Sequence, residues 1–175
     1  SMGGFIVQKY LESHSAPAGV LMASAPPQGV RAAFVRLVKR EPWANLRGVL
    51  TGSTMAPLDS SARARKSMFS PATPEPLVLD YLQRFQQESR RALFIDLTFR
   101  NLPRPERVTA PLLVVGAEHD GTFTVDEVHA TARAYQAESH VFPGMGHDMM
   151  LEPGWRAVAE QIAAWLDTTL TPRRS

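Results

Sequence analysis

The 175-residue sequence contains no cysteine. Disulfides, thiolate metal ligation and a cysteine nucleophile are thereby excluded together. It also lacks any apolar run approaching the roughly 20 residues that a membrane-spanning helix needs. The formal net charge is only +2, and much of the positive excess sits in Arg63-Ala64-Arg65-Lys66 and Arg173-Arg174, neither of which holds an aromatic residue. Such runs read as solvated faces, not as a nucleic-acid surface. Metal-ligand spacing is absent as well: His119-Asp120 and His147-Asp148 are two isolated dyads, so neither a metal nor a cofactor is expected. What remains is ordinary globular usage, with 44% hydrophobic and 21% charged residues, enough for a packed core.

The chain opens on Ser1-Met2-Gly3-Gly4 and runs into the apolar, helical stretch Phe5-Ile6-Val7-Gln8-Lys9-Tyr10-Leu11. In a G-x-S-x-G elbow a strand turns sharply into a helix, and small flanking residues leave room for the exposed serine hydroxyl. Here the half after the serine is present and the half before it is not. A Ser-Met expression scar is the competing reading of these residues.

Gly19-Val20-Leu21-Met22-Ala23-Ser24 is a short continuous apolar run, the pattern of a strand buried on both faces of a parallel sheet. Residues 26–100 then hold no convincing strand and read as helices punctuated by proline. Val30, Phe34, Val35, Leu37 and Val38 share one helical face. A second helix runs through Trp43, Leu46 and Leu50, and a third is capped by Asp59 and ends near Phe69. Leu77, Val78, Tyr81, Leu82 and Phe85 make another apolar face, followed by Leu93, Phe94 and Leu97. Sheet-type sequence returns at Ala110 to Gly116 and at Ser139 to Phe142, with helices from Val125 to Tyr135 and from Trp155 to Leu166. The division expected is a core of residues 1–25 and 101–175, with 26–100 as a helical lid.

A serine hydroxyl needs a base to take its proton, and the base needs a carboxylate to hold its tautomer. Ser1, Asp120 and His147 supply these groups, each at a predicted strand end or elbow, so a parallel sheet would project all three from its carboxyl edge. Glu118 and Asp126 are the rivals of Asp120, while Asp148 reads as a local capping or supporting residue. His14, His119, His129 and His140 lack the Gly-rich loop that surrounds His147.

Ser1-Met2-Gly3-Gly4, Pro111-Leu112-Leu113-Val114-Val115-Gly116-Ala117-Glu118-His119-Asp120 and Phe142-Pro143-Gly144-Met145-Gly146-His147 together resemble the α/β-hydrolase superfamily. The likeness is to its lidded esterase, lysophospholipase and monoacylglycerol-lipase-like members, and it covers the C-terminal part of that fold, a mostly parallel sheet with a helical lid insert. It implies Ser1 as nucleophile, Asp120 as orienting acid, His147 as base and the Met2 N–H as one oxyanion donor. Met55, Met68, Phe69, Phe94 and Phe99 are candidates to line an acyl pocket under the lid, plain packing being the other reading.

The expected partners are a small-molecule acyl substrate and an N-terminal fragment of the same fold on a separate chain, left by cleavage just before Ser1. A chain that is only a fragment of a longer one is the alternative. The function expected is serine hydrolysis of a carboxylic ester or related acyl bond through an acyl-enzyme. An amide-bond hydrolase or acyltransferase using the same residues, and a non-catalytic ligand-binding protein of the same fold, are the other two readings.

Overall fold

The computed structural model describes residues 1–171; the Arg173-Arg174 pair considered above lies outside them. Three parallel strands form a sheet in the order β1-β2-β3: β1 is Gly19–Met22, β2 is Leu112–Ala117 and β3 is Glu138–Phe142. Gly19 pairs with Leu112 and Met22 with Val115, while Leu113 to Ala117 pair with Glu138 to Phe142. All six residues of the central strand are buried. Its sequence, Leu-Leu-Val-Val-Gly-Ala, is therefore apolar throughout, because side chains of successive residues enter opposite cores.

Those cores are built by three helices. On one face Leu112 and Val114 pack with Leu21, with Leu11 of α1 (Met2–Leu11) and with Val128 and Ala132 of α6 (Val125–Ala134). On the other, Leu113 and Val115 pack with Phe142, Met149, and Val158 and Trp165 of α7 (Trp155–Leu170). Helix α6 starts on a capping box, in which the Thr124 hydroxyl and the Glu127 carboxylate satisfy each other's backbone N–H.

Between β1 and β2 the regular elements are all helices, the longer ones being α2 (Arg31–Arg40), α3 (Pro42–Thr51), α4 (Ser61–Met68), α5 (Glu75–Leu82) and a π-type helix over Ala92–Arg100. Two local expectations are corrected here. The cap of α4 is Ser60, whose hydroxyl takes the N–H of Arg63, and not Asp59; the Asp59 carboxylate is drawn off by the guanidinium groups of Arg47 and Arg63. The face carrying Leu93, Phe94 and Leu97 is wound wider than an α-helix, with Asn101 N–H bonding Asp96 C=O five residues back.

Among the described residues β1 has one strand neighbour. The N–H groups of Gly19 and Ala23 face β2, so those of Val20 and Met22 face the open edge. On that edge the Ser1 nitrogen lies 3.4 Å from the Met22 carbonyl oxygen.

Candidate active site

The carboxyl ends of the strands place the predicted groups. Past β2 the chain turns through Glu118-His119-Asp120, and past β3 it turns through Pro143 to His147. The two loops are pinned together by Glu118 N–H to Phe142 C=O at 3.0 Å and His119 N–H to Met145 C=O at 2.8 Å. This brings His147 Nδ1 to 2.8 Å from Asp120 Oδ2, with the side chains 2% and 0% exposed. The other Asp120 oxygen accepts the N–H groups of Thr122 (2.7 Å) and Phe123 (2.9 Å), which fixes the carboxylate's orientation. An ionised carboxylate only accepts, so the histidine proton belongs on Nδ1 and Nε2 keeps its lone pair. The Phe123 ring tilts against the imidazole at 5.6 Å between centroids.

Ser1 is the N-cap residue of α1, yet its side chain makes no capping bond; its carbonyl accepts the N–H of Ala25 at 3.1 Å. The hydroxyl is thus not spent on the helix end, where serine usually works. Ser1, Met2, His147 and Asp148 line one cavity of about 860 Å³. No hydrogen bond joins Ser1 to His147 among the described residues.

Helices of the insert form the remaining wall of the cavity. Met55, Met68 and Phe94 line it, as do Leu37 and Leu97. Two of the proposed lining residues do not reach it. Phe69 is buried in a separate cluster, stacked on Tyr81 and Phe85 at 6.0 and 6.2 Å, because the strand-like backbone at the end of α4 turns its ring away from the cavity. Phe99 is 64% exposed and lies under the Arg31 guanidinium at 5.5 Å. The rivals of the chosen acid and base are also elsewhere. Glu118 accepts the Gly144 N–H, Asp126 sits in the first turn of α6, His14 stacks on Tyr10 and His129 meets Ser139.

One residue that sequence reasoning passed over is Glu152. It is buried, and its Oε1 accepts the Ser70 N–H and the Thr73 hydroxyl while its Oε2 accepts the Gly146 N–H at 3.1 Å. The carboxylate therefore ties the residue before His147 to the turn between α4 and α5. The backbones also come close enough there to require glycine. A Cβ on Gly146 would stand 2.5 Å from the Phe69 carbonyl carbon, and one on Gly121 would overlap the Lys66 carbonyl oxygen. The only sequence signal for Glu152 is a carboxylate five residues beyond the histidine in a Gly-rich loop.

Asp148 lies on the cavity wall with no side-chain hydrogen bond among the described residues. Burial raises its carboxyl above the ordinary value, and Asp120 and Glu152 add repulsion against the opposing pull of His147. A carboxyl raised by folding holds a proton that the unfolded chain has released. Its contribution to stability is full below the ordinary carboxylate range and is lost as pH rises through the raised value. Asp148→Asn is therefore expected to melt higher than the parent protein in neutral buffer, with the gap closing in acid. A melting-temperature gap that stays constant across that range would contradict this.

Comparison with known proteins agrees with the geometry. The profile described as "Alpha/beta hydrolase family" matches residues 1–161. The chain belongs to the α/β-hydrolase family. Solved structures of the same fold include BpoC of Mycobacterium tuberculosis, which carries a non-heme bromoperoxidase designation (TM-score 0.67, 22% identity, 95% of this chain and 64% of that one). Others are an esterase from Thermogutta terrifontis (0.62, 20%, 98% and 64%) and one from Exiguobacterium antarcticum (0.67, 17%, 95% and 64%). This α/β-hydrolase chain thus spans about 64% of the length of each. No curated protein matches the sequence.

Proposed function

We propose that this chain supplies nucleophile, base and acid to a serine hydrolase that cleaves a carboxylic ester or related acyl bond. The observation that carries the reading is the buried His147–Asp120 pair, which opens onto the same cavity as the uncapped Ser1. Ser1 Oγ adds to the acyl carbon as its proton passes to His147 Nε2, and the imidazolium is stabilised by Asp120. The same proton leaves with the alcohol, giving an acyl-enzyme. Water then loses a proton to His147 as it attacks the acyl carbon, and His147 returns that proton to Ser1 Oγ as the acid is released. The N–H of Met2, in the unsatisfied first turn of α1, is one donor to the oxyanion.

A partner completes the site. The outward N–H groups of Val20 and Met22 on the β1 edge suit a further parallel strand, contributed by an N-terminal segment of the same fold. That segment also supplies the second oxyanion donor. The helices of residues 26–100 act as the lid, and the apolar wall of Leu37, Met55, Met68, Phe94 and Leu97 favours an apolar acyl chain. The reading is tested by turnover of matched ester and amide substrates on one preparation. Ester turnover is expected to dominate and to rise with acyl length beyond acetyl. Fast amide turnover beside negligible ester turnover would overturn it.

A further inference from the structure

Helix α3 is amphipathic the wrong way round. The residues it buries are small, Ala44 and Gly48, and the opposite face carries Trp43, Leu46, Val49 and Leu50. Trp43 is 80% and Leu50 78% exposed, one above the other two turns apart on the helix. An outward apolar stripe of this kind marks an interaction surface. Leu46 and Val49 also belong to the wall of the active-site cavity, so the stripe adjoins the cavity's outer end.

Charge indicates what covers it. Residues 26–100 hold twelve Lys and Arg against six Asp and Glu, a formal +6, while the rest of the chain holds seven against eleven, a formal −4. Within the insert Glu41, Asp59, Glu75, Asp80 and Asp96 are already ion-paired, and Glu88 is the one acid without an ion-pair partner among the described residues. Exposed cations without an ion-pair partner among the described residues bracket α3. Lys39 stands just before its first turn, and the Arg90 guanidinium lies 3.2 Å from where a Cβ on Gly52, the C-cap of α3, would be. A Trp- and Leu-bearing stripe flanked by unpaired cations suits an interface with anionic headgroups above and acyl chains below.

We propose that α3 docks this protein on an anionic lipid surface, with Trp43 and Leu50 entering the acyl region and Lys39 and Arg90 meeting the headgroups. The docked helix sets the outer end of the cavity against the lipid. Docking is independent of whether Ser1 is a nucleophile, so His147→Ala binds lipid as the parent protein does.

The test is co-sedimentation of the purified protein with vesicles of equal parts phosphatidylcholine and phosphatidylglycerol, beside vesicles of phosphatidylcholine alone. Binding to the mixed vesicles is expected, with a blue shift of Trp emission. The double substitution Trp43→Ser, Leu50→Ser should weaken it by about tenfold or more per residue. Lys39→Gln and Arg90→Gln should each weaken it by about fivefold. Both apolar positions are solvent-exposed, and an unchanged far-UV spectrum checks the fold. Any of three results would overturn the proposal: protein that stays in the supernatant, equal binding to the uncharged vesicles, or a dimer in sedimentation velocity that the double substitution disperses while vesicle binding is absent.

Discussion

His147→Ala is expected to lower kcat on an ester substrate by about 10⁴-fold or more, with KM little changed. The argument rests on where its two ring nitrogens lie. Nδ1 is committed to Asp120 at 2.8 Å, which leaves Nε2 as the nitrogen available for the serine proton on a residue that lines the same cavity as Ser1. Asp120→Asn should cost about 10⁴-fold through a different route, since an amide can present its NH₂ to Nδ1 and drive the proton onto Nε2. Steady-state kinetics on the two variants checks both losses. Retention of a tenth or more of the parent rate by His147→Ala would show that the histidine is not the base.

The second large effect falls on stability as well as turnover. Glu152→Ala leaves the Ser70 N–H, the Thr73 hydroxyl and the Gly146 N–H without their acceptor in a buried place. An uncompensated buried polar group costs about 1–3 kcal/mol, so a loss of about 3–5 kcal/mol is expected, a large share of a typical domain's stability. Glu152→Gln separates packing from positioning. The glutamine oxygen can still accept from Ser70 and Thr73, while its NH₂ opposes the Gly146 N–H beside His147. It should recover most of the stability and yet keep a lowered kcat at nearly unchanged KM. If kcat recovers in step with stability, Glu152 is a packing residue and does not position the histidine.

The core was legible because its physics is local. A continuous apolar run such as Leu112 to Gly116 suits a strand covered on both faces, and the helix from Val125 to Tyr135 follows it as a parallel-sheet crossover does. The partnership of Asp120 with His147 was legible for a related reason: each stands one loop beyond such a run, and parallel strands deliver both loops to one edge. The insert was less so. Its helices were readable from apolar spacing, but the spacing does not say which neighbour a face meets. Phe69 and Phe99 therefore read like Phe94, although one enters a neighbouring cluster and another lies on the surface under Arg31. Glu152 was invisible because its partners, Ser70 and Thr73, are about 80 residues away. A buried carboxylate is recognisable only when the donors around it are known.

The central claim is that Ser1 is a nucleophile activated by His147. Its most direct test is intact-mass analysis of the purified, denatured protein before and after a fluorophosphonate serine probe, with fragment mapping of the adduct and His147→Ala alongside. The account predicts one probe mass added at Ser1 in the parent protein, and little or none in the variant over the same time. A parent chain that stays unlabelled, or an adduct on any other serine, would contradict it.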